Sequence, residues 1–110
     1  MDKFPKRGDI YWVSLDPTLG SEIRKTRPAL VISNDIGNEL SSRVVVAPIT
    51  SSVHKIYPFQ VKVELEGKIC KILLDQIRTV DKARLKNKML SLPSQLMQQV
   101  GTAIQVSLGL

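Results

Sequence analysis

Two apolar segments flank a tight turn in the second half of the chain and restrict that region to β structure. Residues 60–65 (QVKVEL) alternate apolar and polar side chains, as a half-exposed strand does, so their valines and leucine face inward. Residues 66–68 (EGK) contain the glycine that a tight turn favours, and an apolar run at 69–74 follows at once. The pattern predicts a β-hairpin over residues 60–74.

Three further segments have the composition of strands. Residues 9–15 mix aromatic and β-branched residues and residues 29–33 are apolar, and both are followed by turn residues. Residues 43–50 form the most apolar run of the chain, which predicts a strand covered on both faces. Several short strands predict a mostly β protein built on a small curled sheet or barrel.

Helix is predicted mainly near the C-terminal end. From Pro93 to Gly109 the apolar residues follow a 3.6-residue period, with proline suited to the first turn and glycine to the end. Gly101, inside this helix, lowers its stability by about 1 kcal/mol relative to alanine or marks a close contact. Residues 35–40 and 81–86 are predicted to form short helical turns.

The charge of the chain favours a polyanionic partner. Its 110 residues suit one domain, and 16 lysines and arginines against 10 acidic residues give a net charge of +6. Cys70 is the only cysteine, so no intrachain disulfide can form, and its apolar neighbours predict a buried thiol. The N-terminal residues lack the apolar run of a signal peptide, and no stretch approaches the ~20 apolar residues of a membrane span, which predicts a cytoplasmic protein.

A basic loop directly precedes the strand predicted at 29–33, and its composition suits a phosphate. Gly20 permits backbone angles closed to other residues, and Glu22 offers an acceptor. Three cations follow within four positions: Arg24, Lys25 and Arg27. Pro28 drives Arg27 into an extended conformation, so this guanidinium has little backbone freedom to lose and is the preorganised cation of the loop.

Four motifs in order cover nearly the whole chain: they read KRGDIYWV at 6–13, GSEIRKTRPALVISND at 20–35, VVVAPITS at 44–51 and LDQIRTVD at 74–81. This ordered set resembles the MazF/PemK family, the ribonuclease toxins of bacterial toxin–antitoxin pairs. The resemblance implies an SH3-like β-barrel with a C-terminal helix, as a single domain over residues 1–110. It also implies a homodimer, neutralised by an antitoxin that blocks the RNA groove with a largely acidic, extended segment.

The activity that the resemblance implies is metal-independent, sequence-specific cleavage of single-stranded RNA without a cofactor, leaving a 2′,3′-cyclic phosphate and a 5′-hydroxyl. This reaction removes a proton from the ribose 2′-hydroxyl, stabilises charge on the phosphorane-like transition state and supplies a proton to the leaving 5′-oxygen. A pair of histidines, familiar in such enzymes, is absent. His54 is the only histidine, and its neighbours predict a solvated surface loop.

Three residues are the catalytic candidates. Arg27 can bind two phosphate oxygens through its planar guanidinium, and the matching arginine is the family's principal catalytic residue; the residue pattern alone also fits a surface ion pair with Glu22. Thr50 either caps its strand or donates a hydroxyl to the scissile phosphate, and it is expected on a strand end beside that of Arg27. Glu22 either accepts the 2′-hydroxyl proton or holds Arg27 and the loop in place.

The predicted RNA contacts come from three places, namely Gly20, Ser21, Arg24 and Lys25 in the loop, Ser51 and Ser52 after the third strand, and Asp75 and Gln76. Arg24 and Lys25 stand where some relatives have glycines, which predicts a more basic and stiffer loop. The PemK branch has an arginine two positions before the aspartate, where this chain has Leu73. Asp75 is therefore expected to support the site or contact RNA, and not to act as the base.

Several other polar or aromatic residues receive structural interpretations. Trp12 is expected in the core, although its ring, like those of Tyr57 and Phe59, offers a stacking surface for bases in principle. Arg78 and Asp81 are expected to be structural ion partners. The basic run at 82–88 is expected to form a solvated face.

Two other functions fit the same scaffold. CcdB, a toxin that poisons gyrase through protein contacts, is similar in fold to this family, so the scaffold alone does not establish chemistry. A small basic barrel that binds RNA without cutting it also fits the charge. The loop at 20–28 together with Thr50 favours the nuclease, because a toxin that acts only by protein contact has no use for them.

Overall fold

The computed structural model describes residues 3–16, 19–22 and 25–110. In that part of the chain the elements are β1 (Asp9–Ser14), β2 (Thr26–Val31), α1 (Asp35–Leu40), β3 (Arg43–Thr50), β4 (Gln60–Leu65), β5 (Lys68–Leu73), β6 (Arg78–Asp81), a 3₁₀ helix (Lys82–Arg84), β7 (Leu85–Ser91) and α2 (Ser94–Leu108). The mostly β fold with a C-terminal helix is confirmed. Neither helix in this part of the chain is long and apolar enough to cross a membrane.

The hairpin of β4 and β5 forms as predicted. The two strands pair antiparallel over their full length and leave Glu66 and Gly67 as the connecting loop. Both loop residues have positive φ, +50° and +81°, as in the type I′ turn whose twist matches that of a hairpin. The three residues expected to face inward are each 4% exposed: Val61, Val63 and Leu65.

All seven strands of the described residues belong to one curled antiparallel sheet. Its order is β4-β5-β3-β2-β1-β7. β3 is the centre: β2 pairs along one side, while β5 and β6 share the other side, β5 near the C-terminal end of β3 and β6 near its N-terminal end. No pairing joins β4 to β7 in the described structure, so the sheet is a half-barrel with one open side.

Both faces of the sheet are buried near its centre. On one face a large apolar cluster includes buried residues of α2, among them Val100 and Ala103. On the other face a smaller cluster contains Ala29 and Val31, whereas Leu30 between them belongs to the large cluster, as the alternation of a strand requires. β3 contributes residues to both clusters, which confirms that it is covered on both faces.

β2 begins three residues earlier than the sequence analysis placed it. Pro28 lies inside the strand, opposite Trp12 of β1, whereas the pairing with β3 starts only at Ala29. Proline has no N–H to donate, so it is tolerated where a strand is paired along one side only. In consequence Arg27 belongs to the sheet and not to the preceding loop.

The stretch after Asp81 differs from the expectation of a helical turn over 81–86 and a solvated face over 82–88. Only Lys82–Arg84 form a turn, and the Asp81 carboxylate caps it by accepting from the Ala83 N–H at 2.8 Å. Leu85–Ser91 then form the edge strand β7 beside β1. The strand was not predicted because its lysines gave it the composition of a solvated segment, and an edge strand exposed to solvent accepts charged residues freely.

α2 ends at the residue that the sequence indicated. Gly109 has a φ of +71°, and the Leu110 N–H donates to the Gln105 carbonyl at 2.8 Å, which closes a Schellman motif. Gly101 faces open space, since no heavy atom lies within 4 Å of a Cβ built on it. Of the two expectations for Gly101, the close contact is therefore absent, and the cost in helix stability stands.

Candidate active site

Arg27 and Thr50 stand opposite each other at the ends of β2 and β3. The two strands pair antiparallel with Ala29 opposite Pro48, and continuing this register by two residues places Arg27 opposite Thr50. Directly opposed residues of an antiparallel pair project from the same face. The expectation that these two candidates lie on neighbouring strand ends is confirmed, and both side chains are half-buried.

An open cleft of about 620 Å³ lies beside Arg27, on the open side of the half-barrel. Its walls are Trp12, Lys25, Thr26, Arg27, Pro28, Ile49, Ser51, Leu65, Glu66, Lys68, Cys70 and Met89. Three predicted site residues, Lys25, Arg27 and Ser51, therefore line one cleft. Lys68 adds a cation that the sequence analysis did not select, and Cys70 is 7% exposed, which confirms the buried thiol.

Trp12 is not a core residue, so the expectation from the sequence was wrong: its side chain is 37% exposed and lines the cleft. The pairing of β1 with β7 is irregular here, with Tyr11 opposite Lys88 but Val13 opposite Leu85, so β7 has one extra residue between these pairs and bulges. A bulge bends its strand and disrupts the local pairing. The indole is thereby left uncovered near Arg27, where it offers a flat surface for a base.

The basic loop is closed at its base by the end of β1. The Leu15 N–H donates to the Lys25 carbonyl at 3.0 Å, and the Lys25 N–H donates to Asp16 Oδ1 at 3.3 Å. Lys25 has a φ of +68° and Gly20 of +57°, so both occupy the left-handed region that favours glycine. The use expected for Gly20 is confirmed, and the RNA contact predicted for Arg24 lies outside the described residues.

A second cleft of about 400 Å³ joins the rest of the loop to the segment after β5. It is lined by Ser21, Glu22, Asp75, Gln76, Ile77 and Arg78, and thus brings together four of the predicted site residues. Glu22 Oε1 accepts from the Leu19 N–H, and the Glu22 N–H donates to the Leu19 carbonyl. Of the two roles predicted for Glu22, this geometry favours the one that holds the loop.

Two arginines fix the strand end from which the loop departs. Arg78 Nη1 donates to the Leu15 carbonyl at 2.8 Å, and Arg84 Nη1 donates to the carbonyls of Ser14, at 3.2 Å, and Asp16. Arg78 therefore has a structural role through one hydrogen bond to backbone, and the ion pair expected of Arg78 and Asp81 is absent from the contacts of the described residues. Arg84 lies in the run read as a solvated face, and no local pattern reveals its role because its partners are distant in sequence.

The hydroxyl residues after β3 separate in the structure. Thr50 Oγ1 accepts from the Ser52 N–H at 3.1 Å, which is the capping role, while its hydroxyl hydrogen stays available for a phosphate oxygen. Ser51 lines the first cleft, whereas Ser52 and His54 are exposed. In the described residues no three His, Cys, Asp or Glu side chains lie close enough together to hold a metal ion.

Comparisons with known proteins agree with this geometry. The model of a family described as PemK-like, MazF-like toxin of type II toxin-antitoxin system matches residues 6–108. Endoribonuclease EndoA of Bacillus subtilis is 44% identical over 110 residues, covering 96% of this chain and 95% of the relative. The crystal structure of MazF from Deinococcus radiodurans is similar with a TM-score of 0.86 at 28% identity, covering 99% of this chain and 100% of that one. A MazE-MazF structure from the same organism has a TM-score of 0.77 at 26% identity, covering 99% of both chains.

Proposed function

This chain belongs to the family of PemK-like and MazF-like toxins of type II toxin-antitoxin systems, and we propose that it inhibits growth as an endoribonuclease that cuts single-stranded RNA, including mRNA. The observation that carries the proposal is the strand register that places Arg27 opposite Thr50 on one face of the sheet, with Arg27 also lining a cleft that contains Lys25 and Lys68. The 44% identity to a relative named an endoribonuclease supports the same reaction.

The two side chains act on the phosphate. Arg27 binds two non-bridging oxygens of the scissile phosphate, and Thr50 donates a hydrogen bond to the charge that grows there. A base takes the proton of the ribose 2′-hydroxyl, whose oxygen attacks phosphorus while the bond from phosphorus to the 5′-oxygen breaks and that oxygen receives a proton. The products are a 2′,3′-cyclic phosphate and a 5′-hydroxyl, and the charge is stabilised without a metal ion.

Glu22 is the base candidate among the predicted catalytic residues, and its position sets a condition on that role. Its carboxylate bonds to the Leu19 N–H beside the second cleft, while Arg27 lines the first. Glu22 therefore accepts the 2′-hydroxyl proton only after the loop moves toward Arg27 on substrate binding. Asp75 and Gln76, across the second cleft, contact the RNA on that side.

The partners follow from the charge and the apolar surface. An antitoxin with an acidic, extended segment blocks the first cleft, whose lining includes Lys25, Arg27 and Lys68, in the cytoplasm, and a MazE-MazF assembly is known for a relative. The homodimer forms through a groove of about 480 Å³ whose apolar lining is Ile32, Val45, Ile77, Gly101, Ile104 and Leu108. In α1, which directly follows Asn34 of the groove lining, Ile36 and Leu40 are 75% and 79% exposed, as at surfaces that bind a partner.

To test this function, the purified protein is incubated with a long unstructured RNA in excess EDTA, and the fragment ends are mapped by sequencing. We expect discrete cuts with 5′-hydroxyl ends that are lost in Arg27→Gln. Arg43→Gln is the matched control, because Arg43 is exposed at the opposite end of β3, roughly 23 Å from Thr50 along the strand. A folded Arg27→Gln variant with full activity contradicts the assignment of Arg27, and a transcriptome left intact by the native protein contradicts the ribonuclease function.

A further inference from the structure

The row of polar side chains that begins with Arg27 and Thr50 continues across two more strands. Lys71 of β5 is opposite Thr50, and Lys62 of β4 is opposite Lys71. Because opposed residues project from one face, the four side chains form a single transverse row, which we call the cationic row. Neighbouring strands lie about 4.8 Å apart, so the row extends for about 14 Å.

The segment between β3 and β4 is fastened to this row. β5 lies between those two strands in the sheet, so residues 51–59 must cross it. Lys71 Nζ donates to the carbonyl of Lys55 at 2.7 Å, which ties the crossing segment over the sheet. An ammonium has three donors, so Lys71 retains two for another acceptor.

A stacked aromatic pair lies at the far end of that segment. The rings of Tyr57 and Phe59 are parallel within 2° and their centroids are 5.3 Å apart. Tyr57 is 42% exposed, and neither ring belongs to an apolar cluster of the core. Hydrogen bonds between Tyr57 and Gln60, at 2.9 and 3.1 Å, hold the pair against the start of β4.

One cation lies beside the Tyr57 ring. The ammonium of Lys55 lies 4.9 Å from the Tyr57 ring centroid, and the carbonyl of the same residue accepts the bond from Lys71. The aromatic pair is thus joined to the cationic row by two direct contacts. A flat aromatic face beside a line of cations is the combination by which proteins bind single-stranded nucleic acids, the rings taking bases and the cations taking phosphates.

We propose that Tyr57 and Phe59 form a base-stacking subsite for a nucleotide beside the cleaved bond, and that Lys55, Lys62 and Lys71 bind its phosphates. The inference rests on the ribonuclease function proposed above and adds a substrate subsite to it. A base that stacks on Tyr57 takes the place of the Lys55 ammonium, which then turns to a phosphate. An acidic peptide satisfies the lysines alone and leaves the stacked pair, with its exposed Tyr57 ring, without a role, so the observations favour RNA.

The test uses an RNA oligonucleotide that contains one cleavage sequence mapped with the native protein, and measures kcat and KM separately. We expect Tyr57→Leu to raise KM by about 5- to 100-fold, the worth of one stacked base, with kcat nearly unchanged. Tyr57→Phe keeps the ring and should behave as the native protein does. Lys71→Gln should raise KM and lower the slope of log KM against log salt by about 0.7. Lys82→Gln should change neither, because Lys82 lies in the 3₁₀ helix beside the N-terminal end of β3, far from the row.

A second measurement locates the base. A set of oligonucleotides is used, each lacking the base at one position. At one flanking position the missing base should raise the KM of the native protein. The same missing base should not raise the KM of Tyr57→Leu any further. Thermal melts by circular dichroism show whether Tyr57→Leu is folded, and Phe59→Leu serves as an independent variant of the same pair. Native KM values in both folded variants overturn the proposal, as does equal sensitivity of native and variant protein to every missing base.

The remaining outcomes separate this inference from its premise. If both folded variants cut RNA with native KM but bind the antitoxin more weakly, the surface contacts the antitoxin and the subsite is wrong while the ribonuclease function stands. If the native protein cuts no RNA, both the ribonuclease function and the subsite that depends on it are wrong.

Discussion

Asp9 is a buried carboxylate that joins three segments of the chain, and its removal should be costly. The residue is 2% exposed at the start of β1. Its Oδ2 accepts from the Lys6 N–H at 3.0 Å, its Oδ1 accepts from Ser91 Oγ at 2.7 Å, and Lys88 Nζ lies 3.3 Å from Oδ1. One side chain thus holds the N-terminal segment and the edge strand β7 against β1.

The substitution Asp9→Asn keeps the shape and removes the charge. An amide supplies one acceptor where the carboxylate has two, so one of the two bonds to the charged group, from the Lys6 N–H or from the Ser91 hydroxyl, is lost at a cost of about 1.5–3 kcal/mol. The Lys88 side chain is 39% exposed, so its ion pair adds about 1 kcal/mol or less. We expect the free energy of unfolding to fall by about 1.5–4 kcal/mol, and the melting temperature to fall by roughly 6–16 °C in a chain of this size.

Urea and thermal unfolding, followed by circular dichroism at one fixed protein concentration, measure both quantities. Asp81→Asn is the matched control, because that aspartate is exposed and an asparagine preserves its capping bond, so the change should stay within about 0.5 kcal/mol. A loss below about 1 kcal/mol in Asp9→Asn refutes the reasoning. A double-mutant cycle with Lys88→Met isolates the ion pair, and a coupling energy above about 2 kcal/mol would show that exposure does not screen it as argued.

Three further expectations concern the candidate active site and the cleft beside it. Thr50→Val should lower kcat by about 100-fold because the hydroxyl donor is lost, while Thr50→Ser should retain activity. Both variants are measured on the same oligonucleotide, and equal kcat values would show that Thr50 takes no part in the chemistry. Lys25→Asn should stabilise the protein by up to about 1 kcal/mol in urea, since asparagine tolerates its φ of +68°, and should weaken RNA binding; tighter binding contradicts the contact. Glu66→Asn should stabilise the type I′ turn by a similar amount and strengthen RNA binding by removing a carboxylate from the cleft; weaker binding argues against the cationic cleft.

The elements that the sequence predicted well are those determined by neighbouring residues. The β4–β5 hairpin and the end of α2 each depend on a short pattern and a glycine with positive φ, Gly67 and Gly109. The exposure of Trp12 has no such local cause. It follows from the bulge in β7, which depends on how two strands more than 70 positions apart in sequence pair with each other.

The candidate site divides in the same way. The sequence could predict that Arg27 and Thr50 lie on neighbouring strand ends. One family motif places Arg27 where a strand begins, the other places Thr50 where a strand ends, and antiparallel pairing puts these two ends at the same edge of the sheet. That Glu22 bonds to Leu19 and lines a different cleft from Arg27 could not, because a loop side chain chooses among many partners of similar energy. Lys71 was missed because its place beside Thr50 depends on the β3–β5 register, which no short pattern in the sequence reveals.

The cationic row is set by the core beneath it. Ile49, Ile72 and Val61 stand opposite one another in β3, β5 and β4 and are 2%, 0% and 4% exposed. Each of these apolar residues has a polar neighbour in its strand, which projects from the other face: Thr50 follows Ile49, Lys71 precedes Ile72 and Lys62 follows Val61. A slip of one residue between these strands would turn a lysine into the apolar cluster and an isoleucine or valine out of it, at a cost in both burial and charge. The same apolar side chains that stabilise the half-barrel therefore also hold the cations proposed to bind RNA in line with Arg27, and no separate scaffold is needed for the site.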